Sequence, residues 1–498
     1  VTDWLSDAAQ AHPARLALRR ANGASISYRS LNRRVFRLAA RLEQAGVARG
    51  QRVAWLGRDA ARGVTLMFAL ARLGAVFVPL NTRLTAGELL AQAALADVRL
   101  LMCERSVETQ AAPLTRRFDV RSFDAPRSAS IGRLPEVRLA EAAQGRNSDW
   151  ALPAVQAVVF TSGTTGTPKG AQLTFGNQHA GAAASAARLG TGADDVWLLS
   201  LPLYHVGGMT IPFRALLAGA SVVEYDPRGG FDPARLIRLL EAQQVTMISL
   251  VPTMLARLLD AGFQGTAALR AILLGGAAAP LNLLERAFAC GLPVAPTYGL
   301  TEACSQVATL PPAAAPFKLG SVGQPLPGTT VHIQREDGSM AATDEPGEIV
   351  VHGPTVFAGY LNAPDDRALR NGALFTGDLG YLDADGDLFV VQRRTDLIVT
   401  GGENVYPAEV EAVLRGHAAV ADVCVVGLPD AEWGQQVAAV IVPNSGSPTN
   451  ETELQNWCRA RIASYKIPRR FRMVDALPMT ASGKVIRREV VSMFDKAH

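Results

Sequence analysis

The decapeptide Thr161-Ser162-Gly163-Thr164-Thr165-Gly166-Thr167-Pro168-Lys169-Gly170 stands between an apolar run, Ala157–Phe160, and a stretch of helical length, Phe175–Ala187. A buried strand, a glycine-rich turn and a helix in that order belong to an α/β protein with parallel sheet. Within the turn, glycines let the backbone approach an anion, hydroxyls donate to its oxygens, and Lys169 adds positive charge. The loop therefore reads as a cradle for nucleotide phosphate. A Walker P-loop needs G-x-x-x-x-G-K-[ST]; here Pro168 precedes Lys169 and Gly170 follows it, so that alternative fails on its own pattern.

The same alternation extends in both directions. Val196–Ser200, Ser221–Tyr225, Thr246–Leu250, Ala271–Leu274 and Pro293–Pro296 are strand-like, with helical candidates Pro233–Ala242, Pro252–Asp260 and Asn282–Ala289 among them. Upstream, Arg52–Leu56 and Ala75–Pro79 are expected strands around a helix at Arg62–Arg72. Such a pattern gives parallel sheets with helices on both faces. Beyond Gly320 the texture becomes Gly/Pro-punctuated and strand-rich, with Gly347–His352 and Asp387–Arg393, which predicts a small antiparallel unit. After Arg393 a second α+β pattern begins: helix Pro407–Arg415, strands Val420–Val426 and Val437–Val442, helix Glu451–Ala463 and strand Arg470–Val474. The expected division is a large domain, 1–394, and a small mobile domain, 395–498, since about 100 residues suffice for a separate core.

Composition agrees with this reading. The 498 residues are 48% hydrophobic and 19% charged, too rich in core-formers for disorder. Lysine and arginine number 49 against 45 acidic residues, and a net charge of +4 is no nucleic-acid footprint. Five scattered cysteines, never in CxxC spacing, argue against disulfide scaffolds and zinc knuckles and fit a reducing cytoplasm. Asp3 and Asp7 stand where a secretory signal needs apolar residues. The most apolar stretch, Val64–Leu80, is broken by Arg72 and falls short of the roughly 20 residues of a membrane span.

The decapeptide resembles the phosphate loop of the adenylate-forming superfamily of acyl-CoA synthetases, adenylation domains and luciferases. Tyr298-Gly299-Leu300-Thr301-Glu302, Thr376-Gly377-Asp378, Gln392–Asp396 with Gly401-Gly402-Glu403, and Ser482-Gly483-Lys484 resemble its later motifs, in order. The resemblance runs from about Leu16 to Arg488. It implies an enzyme that transfers AMP from ATP to a carboxylic acid, expels pyrophosphate, and lets a thiol attack the mixed anhydride.

Each motif has a role by that resemblance. Thr161, Ser162, Gly163, Thr164, Thr165, Gly166 and Lys169 would hold ATP phosphates, with Thr301 at the α-phosphate. Glu302 is the expected Mg²⁺ ligand, because magnesium at nucleotides takes one or two carboxylates plus phosphate oxygens and water. Gly276, Ala277 and Ala278 leave a flat slot for adenine, with Tyr298 and Gly299 beside it; unaided, small residues after a strand are ordinary turn material. Asp378, after a tight Thr-Gly turn, and Arg393 would hold the ribose. Lys484 would bridge acid and phosphate during adenylation. The small domain would then swing about Thr395 so that Gly401 and Gly402 line the coenzyme A channel. Gln392 stands where glycine is usual in the family, and Thr395 where aspartate or lysine is frequent. His205, in Leu201–Met209, would lie at the wall between acid pocket and thiol channel.

The run Ala303–Leu310 after Glu302, Leu201–Met209 and Arg394–Glu411 resemble the o-succinylbenzoate–CoA ligases more than fatty-acid or coumarate ligases. An aromatic dicarboxylate needs a short pocket with polar groups at its far end. Ser305 and Gln306, with His205, are the expected substrate contacts, although the polar pair could equally sit behind the pocket. A ligase for another aromatic or fatty acid, or an adenylation enzyme loading a carrier protein, remains the alternative. Expected partners are a small carboxylic acid and coenzyme A, with a homodimer compatible and neither nucleic acid nor membrane span required.

Overall fold

The computed structural model describes the chain outside residues 1–2, 21, 125–129, 137–149, 162–167, 227–229, 362–367, 393–396, 445–448, 480–484 and 496–498. Two compact units divide it: Val1–Thr82, Ala93–Val159 and Gly170–Gln392 form one, and Arg83–Gln92, Phe160–Lys169 and Arg393–His498 the other. The boundary expected at 394/395 falls outside the described residues.

The first unit holds two mainly parallel sheets. In a seven-stranded sheet Arg52–Leu56 pairs in parallel with Val76–Pro79 and Val98–Cys103, and Val76–Pro79 pairs in turn with Val155–Thr161. An eight-stranded sheet has Val196–Leu199 between Ser221–Glu224 and Met247–Leu250, continued in parallel by Ala271–Leu274 and Val294–Tyr298. Strands covered on both faces are apolar throughout, which is why Ala271-Ile272-Leu273-Leu274 shows no alternation. One face of that sheet, with Leu198, Ile248 and Ile272, packs on Leu236, Leu255 and Leu284 from the helices. The other face, with Trp197, Met247 and Leu273, shares a core with Val53, Trp55 and Phe77 of the seven-stranded sheet.

The helix Phe175–Leu189 starts at a reciprocal cap, in which Thr174 Oγ1 accepts from Asn177 N–H and Asn177 Oδ1 accepts from Thr174 N–H, and it stops at Gly190 in the left-handed region. The antiparallel unit is a meander of Thr330–Gln334, Gly347–His352, Ala373–Leu382 and Leu388–Gln392.

In the second unit, Gly434–Pro443 lies between Val420–Asp430, antiparallel, and Arg470–Met473, parallel. Pro407–Arg415 and Glu451–Arg459 cover one face through Val410, Leu414 and Leu454, and Arg487–Asp495 covers the other through Val490 and Phe494. The helix expected over Glu451–Ala463 ends at Arg459. Arg461 and Ile462 N–H both fold back on Cys458 O, which turns Ile462 into the core. Among the described residues no helix is long and apolar enough to cross a membrane.

One helix matters more than its sequence suggests. Val206–Ala218 contains Gly207, Gly208 and Pro212, all poor in helix interiors. Burial of Met209, Ile211, Phe213 and Leu216 overrides that preference. Gly208 is required there, since a Cβ would lie 2.3 Å from Pro202 O.

Candidate functional site

The strand Lys169–Thr174 follows the glycine-rich stretch 161–168 in sequence and is tied to a segment around Tyr360. Gln172 N–H donates to Gly359 O and Ala358 N–H to Gln172 O, both at 3.0 Å, and Leu361 N–H donates to Gly170 O at 2.8 Å. That segment in turn holds the acidic motif: Tyr360 Oη donates to Glu302 Oε1, and Phe357 N–H donates to Glu302 O at 2.9 Å. The exit of the loop and the Glu302 carboxylate are thus linked by one stretch of chain, which sequence reading did not identify. Ser162, Gly163, Thr164, Thr165 and Gly166 lie outside the described residues; Thr161 ends a strand and Lys169 begins the next.

Tyr298, at the end of Val294–Tyr298, is 2% exposed and donates from Oη to Asp378 Oδ2 at 2.7 Å. Asp378 follows a turn in which Gly377 has φ +73° and Thr376 Oγ1 accepts from Asp378 N–H at 3.1 Å. The motifs around 298 and 378 are therefore brought together, 80 residues apart in sequence. Gly276, with φ +82°, Ala277 and Ala278 follow the strand Ala271–Leu274 as a bend open to solvent. Gly275 is held bare by Thr297, whose Cγ2 would stand 2.6 Å from a Cβ. Arg393 is outside the described residues.

Gly299, Thr301 and Glu302 open a tight turn that ends at Ser305. A Cβ on Gly299 would lie 1.5 Å from Ser305 O, so no other residue fits. Ser305 Oγ accepts a 3.1 Å hydrogen bond from Arg214 Nη2. Arg214 is 3% exposed, its Cζ is 5.8 Å from the Trp197 ring centroid, and its Nε and Nη1 have no hydrogen-bond partner among the described residues. Burial pulls the guanidinium down to about 10. The adjacent Cys304 thiol is pushed up to about 12 by burial, so it is no counter-ion. Gln306 is buried: its Nε2 donates to Thr309 Oγ1 at 2.7 Å, in contact with Thr297, and its Oε1 has no hydrogen-bond partner among the described residues. His205 caps the helix Val206–Ala218, its ring 4.8 Å from that of Tyr204.

Arg214 was absent from the sequence reading because Gly207, Gly208 and Pro212 hide its helix. The signal that could have found it is a lone arginine inside the otherwise apolar run Ile211-Pro212-Phe213-Arg214-Ala215-Leu216-Leu217.

In the second unit, Gly401 (φ +57°) and Gly402 (φ +82°) form the turn of the hairpin Ile398–Thr400 and Glu403–Val405. Gly401 N–H donates to Trp433 O at 2.9 Å, and a Cβ at Gly401 would meet the Trp433 ring at 2.7 Å. Lys484 and Thr395 lie outside the described residues. Asp383, Asp385 and Asp387 are spaced as metal ligands, but Lys318 Nζ donates to all three and already supplies the cation.

Residues 5–361 match the AMP-binding enzyme family, and residues 409–484 match the AMP-binding enzyme C-terminal domain. A 2-succinylbenzoate–CoA ligase of Bacillus mycoides (strain KBAB4) is 38% identical over 498 residues, covering 99% of each chain. That of Bacillus licheniformis is 38% identical over 492 residues, covering 98% of this chain and 99% of the relative. Among solved structures, a double mutant of Bacillus subtilis o-succinylbenzoate CoA synthetase with the product analogue OSB-NCoA superposes with a TM-score of 0.88 at 36% identity, covering 100% of this chain and 99% of the other. The same enzyme with the acyl-adenylate intermediate OSB-AMP gives 0.70 at 36% identity, covering 98% of each.

Proposed function

We propose, from the premise that this chain belongs to the AMP-binding enzyme family, that it is an ATP-dependent acid–CoA ligase acting on o-succinylbenzoate. The observation that carries the choice of acid is Arg214, a buried guanidinium beside Ser305 with two nitrogens unsatisfied among the described residues. A buried guanidinium left partly unsatisfied and without a counter-charge is costly, and a carboxylate at the far end of the substrate would supply that charge and accept from Nη1. A fatty acid offers nothing to it. The curated relatives named above carry the same activity in their names.

In the first half-reaction the acid's other carboxylate attacks the α-phosphorus of ATP and pyrophosphate leaves. Thr161, Ser162, Gly163, Thr164, Thr165, Gly166, Lys169 and Thr301 hold phosphate oxygens, while Asp378, steadied by Tyr298, and Arg393 hold the ribose. Gly276, Ala277 and Ala278 flank adenine. The Glu302 carboxylate, oriented by Tyr360, suits a hard divalent cation, and Mg²⁺ bound there would offset phosphate charge. Lys484 stabilises the charge that builds between carboxylate and phosphate. In the second half-reaction the thiol of coenzyme A displaces AMP from the acyl carbon, with Gly401 and Gly402 lining its approach after a swing at Thr395. His205 lines the wall of the pocket, and Gln306 supports it from behind through Thr309.

The proposed domains are 1–394 and 395–498. Free cysteines and soluble substrates support a cytoplasmic setting.

Pyrophosphate release with ATP, CoA and a panel of acids tests the reading. o-Succinylbenzoate should outpace benzoates with one carboxylate and all fatty acids; a preference for a monoacid overturns it. Replacing CoA by a phosphopantetheinyl carrier protein should abolish the second half-reaction.

A further inference from the structure

The turn 299–305 is held from several sides. Ala303 and Ser305 N–H both donate to Leu300 O, at 3.1 and 3.2 Å, and Cys304 N–H donates to Thr301 O at 3.1 Å. Two successive non-glycine residues in it take positive φ, +52° at Cys304 and +94° at Ser305. The first lies in the small left-handed well; the second lies beyond it, where a Cβ is strained. Such conformations persist only where the surroundings over-determine them. Here the surroundings are Gly299, packed on Ser305 O, and Arg214, which donates to Ser305 Oγ. Glu302 sits three residues before Ser305 in the same turn.

We infer that this strained turn couples the acid pocket to the nucleotide site, with Arg214 and Ser305 as positioning residues through which a bound dicarboxylate sets the place of Glu302. The inference rests on the reading of the acid given above. When the far carboxylate accepts from Nη1, the planar guanidinium is fixed, and Nη2 is kept on Ser305 Oγ. The turn then cannot relax its positive φ angles, and Glu302 is presented to the metal and phosphates in one arrangement. By linkage, the nucleotide tightens the dicarboxylate by the same factor. A monoacid leaves Nη1 unengaged and gains nothing.

The test is equilibrium binding of Mg²⁺ with an ATP analogue bearing a methylene bridge between the α- and β-phosphates, with and without saturating o-succinylbenzoate. Wild-type protein should bind the analogue roughly tenfold tighter with the dicarboxylate, within the usual range of allosteric coupling, and less than about twofold tighter with a benzoate lacking the second carboxylate. Ser305→Ala should reduce the coupling below about twofold. Ser305→Gly removes the same hydroxyl but adopts φ +94° without steric cost, so it folds whatever Ser305→Ala does, and it should lose the coupling equally. Full coupling in Ser305→Gly overturns the inference. So does wild-type protein that turns over o-succinylbenzoate and binds both ligands independently, an outcome that leaves the substrate assignment standing. Wild-type protein that fails to bind the dicarboxylate overturns both.

Discussion

The hydroxyl of Tyr298 is committed to Asp378, 2.7 Å away and almost wholly shielded from water. The residue expected beside adenine thereby also fixes the carboxylate expected to hold the ribose, so the two motifs are joined by a direct hydrogen bond. A hydrogen bond to a charged group contributes about 1.5–3 kcal/mol, against 1.4 kcal/mol for each factor of ten. Tyr298→Phe should therefore raise the Michaelis constant for ATP about tenfold or more while changing that for the acid little. Initial rates at varied ATP decide it, and an unchanged constant for ATP would show that Asp378 does not depend on the tyrosine.

Arg214 predicts opposite effects on stability and activity. Replacing it with methionine gives up one hydrogen bond to Ser305 but removes a buried guanidinium whose Nε and Nη1 have no partner among the described residues, and it keeps apolar volume, so thermal stability should hold or rise. Use of o-succinylbenzoate should fall about a hundredfold, while a benzoate without the second carboxylate should be used no worse than by wild type. A thermal melt and the two acid titrations check both halves. Equal losses on both acids would place Arg214 outside the pocket.

Lys484→Ala should abolish adenylation, by about a hundredfold or more, and spare thioester formation from a preformed acyl-adenylate. On the proposed mechanism the lysine serves only the step in which charge develops between carboxylate and phosphate. Separate assays of the two half-reactions provide the measurement, and parallel losses would remove the basis for a domain swing.

Thr395→Pro should do the reverse. Proline fixes φ near −65°, which restricts the swing without touching the nucleotide site. Single-turnover adenylation should survive better than thioester formation; unchanged rates in both would move the pivot to Gln392 or Asp396.

Asp195 predicts a pH dependence of stability. Burial raises its pKa, but Arg270, Gly192 N–H and Thr246 Oγ1 outweigh burial and hold the carboxyl below its usual range. A depressed carboxylate contributes stability above its unfolded pKa and loses it as pH falls through the folded value. Asp195→Asn should cost about 1.5–3 kcal/mol at pH 7, and the gap from wild type should narrow as pH falls below about 4. Urea unfolding at pH 7 and pH 3 gives the comparison, and a gap that widens in acid would contradict it.

What the sequence determined by itself is the set of local commitments. Strand, loop and helix around residues 157–187 follow from apolar runs and glycines, and Gly190, Pro233 and Pro252 mark helix ends through backbone sterics alone. Gly299, Glu302 and Asp378 are legible as motifs because their chemistry depends on neighbours a few residues away. Only the tertiary structure decided which distant groups meet. Tyr298 reaches Asp378, Tyr360 reaches Glu302 and Arg214 reaches Ser305 across 80, 58 and 91 residues. No local pattern encodes those pairings, since they arise where sheet strands and a glycine-containing helix are forced together by a shared apolar core. That same core overrides the weak helix preference of Val206–Ala218 and carries Arg214 into the interior, where loss of water makes an unpaired guanidinium charge costly.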